Sequence, residues 1–562
     1  MKKILLVLLC LVVVYSMILS GCSPNTTQEP TGSGESAQQG GTEETIQKGG
    51  TVRYAAFGAA PGVFNPVLQS NSFDIYEMEV MFEGLLKKNL ENQLEPCLAE
   101  SFSISEDNKT VTYKLRDGVK WHDGQPLTVE DVQFTFEFIG HPDYPGPYGS
   151  TVQPIKGAAA YKNGETQHIE GIQIIDPLTI SITTDEVKAT SLELITTTVR
   201  IIPKHIWEKV DIKKSLEATE LLRHPVGTGP FKMGKFVPDQ YVEMVANDDY
   251  WNGRPIIDKY IIQVSNPETA QSQIINGEID MLAVKQMNSD DLDYYKSNGI
   301  EVKEISFDAA MGLGVNNAME IFNDKKVRQA FAYAIDREAI VRDILYGYGS
   351  VANIPYKVWD IPNGINEYKY NPDKAIELLK EAGWEYRENE KQMYKNGKPV
   401  KFTLKYYSGN KQVENIAPFI QQSLKNIGIQ IDLQIAEYST MLTEIKKGEF
   451  ELYIMAQKNG VAGDMEALIH TDRVPPKGTN YTHFSNQKID ELSTKGLQYL
   501  TTEERQPIYH ELSLLLNEEI PIIYLYHWSQ GIAINGKLKG VHTTHNSQLG
   551  INYGVEKWYL EK

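Results

Sequence analysis

One stretch in the C-terminal half constrains the fold more than any other part of this sequence. Residues 402–407 alternate as a strand, residues 413–427 carry a helical apolar period, and residues 429–435 alternate again. A strand, a helix and a second strand in this order predict a β-α-β unit. We therefore expect a protein of the α/β class.

Strand and helix patterns also alternate along the rest of the body, from about residue 50 to residue 562. Alternation predicts strands at 51–56, 110–115, 171–177 and 178–183, and helical periodicity predicts helices at 75–86, 327–344 and 375–382. Gly383 stands at the C′ position of the last of these helices. Because domains usually contain about 100–200 residues, a body of this length predicts two or three lobes.

The first fifty residues predict where the protein works. Two lysines precede an apolar run at 4–19, and the letters LSGC stand at 19–22. A positive start, an apolar stretch and small residues before a cut site are typical of a secretory signal, here residues 1–21. LSGC also resembles the bacterial lipobox, which would make Cys22 the lipidated first residue of the mature chain. The alternative is an ordinary signal peptide or a lone N-terminal helix, with an incidental cysteine in either case.

Residues 22–48 predict a linker. They consist mainly of Ser, Thr, Gly, Gln, Glu and Pro. Such a segment buries too little apolar surface to offset its conformational entropy, so we expect a flexible tether between the lipid anchor and the body.

Charge and hydropathy exclude several classes of partner. The chain carries 74 acidic and 55 basic residues, for a formal net charge of -19. Nucleic acids and anionic membrane surfaces require clustered Lys and Arg, so neither is expected as a partner. No apolar run after the signal approaches the ~18 residues of a membrane-spanning helix, so the body should sit outside the bilayer.

The three cysteines predict no internal disulfide. Cys10 leaves with the signal, Cys22 is the proposed anchor, and Cys97 remains alone in an apolar context. A single cysteine cannot form an internal disulfide, and this context favours a buried, inert thiol. Cys-x-x-Cys metal motifs are absent from the sequence.

Candidate catalytic and metal motifs are weak. His122 and Asp123 could form a catalytic pair, but adjacent residues on a tight turn rarely face one substrate, so a structural turn is favoured. His542 and His545 have helical spacing without a third metal ligand nearby. Gly-x-Ser-x-Gly and His-Glu-x-x-His motifs are absent. We expect neither an enzyme nor a bound cofactor, and a lipid-anchored hydrolase is disfavoured.

Five blocks of sequence resemble the family 5 extracellular solute-binding proteins, the oligopeptide, dipeptide and nickel receptors of ABC importers. The blocks, in order, are YKLRDGVKWHDGQPLTVEDV at 113–132, GTGPF at 227–231, NDDYWNGRPIID at 247–258, VRQAFAYAIDR at 327–337, and YNPDKA with LKEAGW at 370–384. The resemblance covers essentially the whole body.

The resemblance implies a two-lobed, periplasmic-binding-protein-like clamshell (type II, cluster C) with an extra domain on the N-terminal lobe. By analogy, lobe I comprises residues 49–74, 200–310 and 510–562. The extra domain spans 75–199, and lobe II spans 311–509. Two lobes that close on a ligand exclude water from its hydrogen bonds.

The resemblance also implies a function without chemistry. We expect a monomeric lipoprotein on the extracellular face of a bacterial membrane that captures short peptides and delivers them to ABC permease subunits. Two alternatives remain within the receptor class, namely an oligosaccharide or nickel-chelate receptor and a peptide-sensing lipoprotein that does not transport.

One loop of lobe II departs from the family pattern. Peptide-binding relatives carry a Trp and an Asp after a strand, and the Asp pairs with the α-ammonium of the peptide. Here Gln457 replaces the Trp, and Gly460 or Ala462 stands where the Asp is usual. The nearby carboxylate is Asp464, so either it or another acid takes over, or the ligand lacks a free amine. Gln457, Lys458 and Asn459 supply donors that suit carbonyls, carboxylates or hydroxyls. The alternative is a loop that is merely exposed to solvent.

Further contact residues are implied by position in the family. They are Phe57, Phe64 and Asn65 after the first strand, Tyr438, and Asn480 with Tyr481. A core role is an equally good interpretation of Tyr438.

Overall fold

The computed structural model describes residues 46–90, 93–284, 289–357, 359–460, 463–543 and 551–561. The chain divides into two units, residues 1–45 and residues 46–562, and the described residues belong to the second. The predicted signal, Cys22 and most of the predicted linker lie outside the described residues, as do Ala462 and His545.

The strands are short except for two. In chain order they are β1 Ile46–Gln47, β2 Thr51–Ala56, β3 Leu86–Lys88, β4 Leu94–Pro96, β5 Ala99–Ile104, β6 Thr110–Leu115, β7 Ile172–Asp176, β8 Thr179–Thr183, β9 Phe231–Val237, β10 Tyr241–Ala246, β11 Lys259–Val264, β12 Met281–Val284, β13 Ile300–Val315, β14 Ser350–Val351, β15 Glu385–Arg387, β16 Gln392–Lys395, β17 Lys398–Pro399, β18 Lys401–Tyr407, β19 Gln430–Ala436, β20 Leu452–Lys458, β21 Ile522–Asn535, β22 Leu538–Lys539 and β23 Tyr559–Glu561.

The helices are distributed between the strands. They are α1 Ser72–Met81, α2 Val129–Gly140, α3 Gly149–Val152, α4 Ala158–Lys162, α5 Ala189–Glu193, α6 Lys204–Trp207, α7 Thr219–Arg223, α8 Pro267–Ile275, α9 Ser289–Ser297, α10 Lys325–Ala334, α11 Arg337–Ala339, α12 Pro372–Glu381, α13 Lys411–Asn426, α14 Tyr438–Lys446, α15 Glu466–Ile469, α16 Gln487–Gly496 and α17 Thr502–Glu519. Among the described residues, no helix is both long and apolar enough to cross a membrane.

A mixed sheet of 11 strands forms the frame of the molecule. Its order is β19-β18-β20-β13-β21-β12-β2-β11-β10-β9, and β14 pairs with β21 beside this path. β18 and β19 are parallel and α13 connects them, so the predicted β-α-β unit is confirmed. A second, antiparallel sheet has the order β5-β6-β8-β7. It confirms the predicted strands at 110–115, 171–177 and 178–183.

Two hydrophobic cores share the long strands β13 and β21. Ile305, Ile532 and Ile534 lie in the first core, which also contains β2 and the four-stranded sheet. Leu313 and Leu525, nearer the other end of the same pair, lie in the second core with α10, α12 and α13. The register of β13 against β21 shifts between these ends. The domain boundaries given above stay a prediction.

The predicted helix at 327–344 is wrong as one continuous element. α10 ends at Ala334, where Ile335 takes an extended conformation with φ -101° and ψ 117°. Asp336 then caps a new start, because its side chain accepts a hydrogen bond from Ala339 N at 2.8 Å. The apolar stripe continues across the break, so periodicity alone could not reveal it.

The predicted helix at 75–86 also differs from the structure. α1 begins after Asn71, whose side chain caps Phe73 N, and it ends at Met81. Phe82 is extended, and residues 86–88 form β3. By contrast, the helix predicted at 375–382 is present as α12, and Gly383 follows it with φ +78°.

The turn at 121–124 has a structural role, as predicted, and does not form a His-Asp pair. Gly227 N donates to His122 Nδ1 (3.1 Å), which leaves Nε2–H to donate to Gly229 O (3.0 Å). The imidazole is therefore neutral, and burial lowers its pKa to about 4. Asp123 instead contacts His205 Nε2 at 2.7 Å. His122 and Asp123 thus serve different partners.

The capping box of α2 connects this turn to the rest of the fold. Thr128 N donates to Asp131 Oδ2 at 2.9 Å. The same carboxylate accepts from Trp121 Nε1 (3.4 Å) and from Lys204 N (2.8 Å). Trp121 is 2% exposed, so the block at 113–132 organises the core.

Candidate ligand-binding site

A cavity of about 500 Å³ lies in the first core, beside the end of strand β20 of the second core. This volume is in the range of small-molecule sites. Its walls come from α1, the chain at 82–88, the segments at 197–200 and 552–556, and Lys458. The residues that carry charge are Glu79, Glu83, Lys87, Lys88, Arg200, Lys458 and Glu556.

Glu79 projects from the last turns of α1. Its Oε2 accepts a hydrogen bond from Asn552 Nδ2 at 3.0 Å. Asn552 is buried and also donates to Tyr76 O (3.1 Å), so it holds α1 against the C-terminal segment. Burial raises the pKa of the Glu79 carboxyl to about 7, against the opposing effects of Arg200 and the Asn552 amide.

Arg200 stands beside Glu79 but binds main-chain groups. Its Nη1 donates to Phe82 O at 2.7 Å and to Glu79 O at 3.5 Å. Gly84 and Arg200 also form a β-bridge. Arg200 therefore fixes the chain that follows α1 and adds positive charge to the cavity wall.

Glu83 is a buried carboxylate whose bonding capacity is filled. It accepts from Tyr250 OH (2.8 Å), Trp251 Nε1 (3.0 Å) and Thr228 Oγ1 (2.9 Å). Burial nevertheless raises its pKa. The blocks at 227–231 and 247–258 thus meet at this side chain. Its donors make it a structural centre of the fold.

Two lysines of the cavity are paired with carboxylates. Lys88 Nζ lies 2.7 Å from Glu193 Oε2, and both side chains are 7% exposed. Lys87 Nζ lies 3.3 Å from Glu95 Oε1. Cys97 also lines this wall; the thiol is buried, as predicted, and burial raises its pKa well above the usual range.

The loop after β20 places its predicted contact residues in different environments. Gln457 is buried, and its Nε2 donates to Tyr453 OH at 3.4 Å. Lys458 is exposed and lines the cavity. Asn459 is buried, and its side chain donates to Pro355 O at 3.1 Å. Gly460 N donates to Asp464 O at 2.8 Å, which closes the loop.

Asp464 lies away from the cavity. Its Oδ1 accepts a hydrogen bond from Glu466 N at 2.7 Å and so supports the start of α15. Burial raises the pKa of this carboxyl. Asp464 is half-buried and is not among the residues that line the cavity.

The aromatic residues predicted in lobe II form another group. Tyr438 is 44% exposed, packs edge-to-face against Tyr407, and approaches Met455 Sδ through its hydroxyl at 3.8 Å. Tyr481 is partly buried against the cluster that contains Met455. The structure brings these two predicted residues near one another and apart from the cavity.

The remaining predicted residues are largely in the core. Phe64 is 1% exposed and packs edge-to-face on Phe236. Asn65 is buried and accepts from Val67 N at 3.0 Å. Asn480 is fully buried, and its amide donates to the carbonyls of His470 and Phe484. Phe57 is partly buried against the cluster around α8.

Sequence reasoning missed Glu79, Arg200 and Asn552. They are distant in the sequence, and each is unremarkable in its local pattern. Among the described residues, no group of three or more His, Cys, Asp or Glu could hold a metal ion.

Comparison with known proteins identifies the family. The model of the bacterial extracellular solute-binding proteins, family 5 Middle, matches residues 93–475. The oligopeptide-binding protein AppA of Bacillus subtilis is 30% identical over 100% of this chain and 99% of its own. Heme-binding protein A of Haemophilus influenzae is 27% identical over 86% of this chain and 88% of its own.

A solved structure agrees with this assignment. The Bacillus subtilis AppA complex with a nonapeptide superposes with a TM-score of 0.65 at 29% identity, over 92% of this chain and 100% of that one. This protein therefore belongs to the family 5 extracellular solute-binding proteins and has their two-lobed α/β fold.

Proposed function

We propose that this protein is the substrate-binding lipoprotein of an ABC importer, which captures short peptides outside the membrane and delivers them to a permease. The observation that carries the proposal is a cavity of about 500 Å³ whose wall holds both carboxylates and cations. A peptide is a zwitterion with polar main-chain groups, so it suits such a wall. The peptide-binding relative spans the full length of this chain.

Capture would proceed by closure of the two cores around the ligand. β13 and β21 are the natural hinge, because both cores share them and their register shifts between Ser306 and Ala310. Phe307 and Trp528 stack at this point, with ring centroids 4.3 Å apart. A few residues at such an irregularity can absorb the rotation while the packed cores move as units.

The proposed contact set is centred on the loop after β20. Lys458, which lines the cavity from the second core, would donate to a carbonyl or carboxylate of the ligand. Gln457, Asn459 and Gly460 would hold this loop in place through their own hydrogen bonds. Phe64 and Asn480 are not part of this set, since both are buried with partners inside the fold.

Attachment to the extracellular face of the membrane would come from a lipid on Cys22, followed by the linker at 22–48. The variant Cys22→Ser should move the protein from the membrane fraction to the medium, with unchanged thermal stability of the body. A protein that stays with the membrane would contradict the lipid anchor.

The ligand itself can be tested directly. The protein should be purified under native conditions, and the small molecules released by denaturation should be identified by mass spectrometry. We expect short peptides. A stripped sample should then bind a pool of random tripeptides to pentapeptides in isothermal titration. A sugar or a metal chelate as the released molecule, without heat from the peptide pool, would overturn the proposal.

Transport requires a separate measurement. Deletion of the protein should reduce the uptake of labelled peptides by the cell, and the wild-type chain should restore it. Normal uptake in the deletion strain would instead favour a peptide-sensing role.

A further inference from the structure

Several charged side chains of the cavity wall already have partners within the protein. Lys88 is paired with Glu193, and Lys87 with Glu95. Glu83 is surrounded by hydroxyl and indole donors. These groups hold the wall together, so a ligand would gain little from them without breaking an existing contact.

Glu79 is different, because only part of its carboxylate is used. Oε2 accepts one hydrogen bond from Asn552. Among the hydrogen bonds of the described residues, this is the one bond to the Glu79 carboxylate, and Glu79 lines the cavity. A carboxylate can accept several hydrogen bonds, so Glu79 retains acceptor capacity on the cavity side.

The neighbouring residues hold the Glu79 carboxylate in place and leave part of its hydrogen-bonding capacity open. Arg200 directs Nη1 to the carbonyls of Phe82 and Glu79, so it stabilises the negative charge at a distance. Besides burial, the negative charge of Glu79 helps to raise the pKa of four neighbouring groups. These are Glu77 and Tyr76 on α1, and Tyr54 and Tyr260 on the adjoining strands. None of these supplies a second cation.

We propose that Glu79 binds the ammonium group of the ligand, in the role that the sequence left open between Asp464 and another acid. This inference rests on the proposed function and names the residue that determines its specificity for free amines. Asp464 is the weaker candidate because it supports α15 and does not line the cavity. An ammonium would complete the bonding of Glu79 and compensate for its burial.

The decisive experiment compares peptides that differ only at their ends. One pool of random tripeptides to pentapeptides is prepared with free ends, and a matched pool is N-acetylated. We expect wild-type protein to bind the free pool about 10–100-fold more tightly, the range of a charge-assisted contact. Glu79→Gln should bind both pools with similar affinity, whereas Asp464→Asn should retain the discrimination. Glu503→Gln, on the exposed first turn of α17, controls for loss of one charge.

The outcomes separate the two proposals. If wild-type protein binds neither pool, the peptide function itself fails. If wild-type protein discriminates between the pools and Glu79→Gln does so equally, the function stands and the role of Glu79 is overturned. Loss of discrimination in Asp464→Asn alone would assign the role to Asp464.

A measurement on wild-type protein covers the case in which Glu79→Gln does not fold. Burial raises the pKa of Glu79 to about 7, so its carboxyl group is protonated at pH 5. It must then lose that proton before it can bind an ammonium group. Affinity for the free pool should therefore drop by about 50-fold from pH 7 to pH 5. Affinity for the acetylated pool should change little. Equal pH dependence for the two pools would contradict the proposal.

Discussion

Burial of carboxyl groups is a recurrent feature of the first core. Glu77, Glu79 and Glu83 lie within seven residues of one another, and burial raises the pKa of each. Their environments nevertheless differ. Glu83 is fully hydrogen-bonded, Glu79 faces a cavity, and both oxygens of Glu77 lack a hydrogen-bond partner among the described residues. A raised pKa therefore marks three different situations, and only geometry distinguishes them.

Glu77 should make stability fall as the pH rises. Its pKa is raised from 4.5 to about 8, so its contribution is fully present below pH 4.5 and is lost as the pH rises through 8. Glu77→Gln should therefore increase the free energy of unfolding at pH 8 by up to about 4 kcal/mol, with no gain near pH 4.5. Urea denaturation of both proteins at the two pH values checks this, and equal gains at both would contradict it.

His122 should have the opposite pH dependence. Its pKa is lowered from 6.5 to about 4, so the stability that it contributes is present above pH 6.5 and is lost as the pH falls through 4. His122→Ala removes the bonds to Gly227 and Gly229 and should cost about 2 kcal/mol at pH 7. That difference should shrink by pH 4.5 in denaturant titrations. A constant difference would mean that the imidazole is not held neutral.

At the scale of helices and strands, the confirmed predictions rest on local sequence patterns. The strands at 402–407 and 429–435 and their connecting helix follow from apolar spacing within one β-α-β unit. The apolar stripe at 327–344 is equally regular, but the helix is broken there, because the Asp336 side chain caps the start of a new helix. The cavity could not be foreseen, because Glu79, Arg200 and Asn552 meet only through tertiary packing. Of the predicted contact residues, Lys458 lines the cavity, and its contact with a ligand stays a prediction.

The block at 227–231 packs so closely against the end of α1 that Gly227 has no room for a side chain. A Cβ at Gly227 would lie 1.9 Å from Met81 O, at the end of α1. Gly227→Ala should therefore displace the turn from α1 and cost about 3 kcal/mol or more. Gly149→Ala is the matched control, since its Cβ would meet Tyr144 Cδ1 at 3.8 Å. Thermal denaturation should separate the two variants, and similar melting temperatures would contradict this account.

At the scale of the whole molecule, the cavity and the proposed hinge both involve the two cores. The cavity lies in the first core, yet Lys458 reaches its wall from the second. Under the proposed hinge, rotation about β13 and β21 would move Lys458 relative to the rest of the wall. Binding and rotation should therefore be coupled.

Coupling predicts a measurable change of shape. Stripped protein should show a smaller radius of gyration in X-ray scattering after addition of the free-ended peptide pool, because a ligand held between the cores favours the closed state. The same addition should raise the melting temperature, since the ligand binds only folded protein. The N-acetylated pool at equal concentration should have a smaller effect on both, because it lacks the ammonium for Glu79. A rise in melting temperature with an unchanged scattering profile would mean that binding does not require rotation of the cores, and the hinge at Ser306–Ala310 would then be wrong.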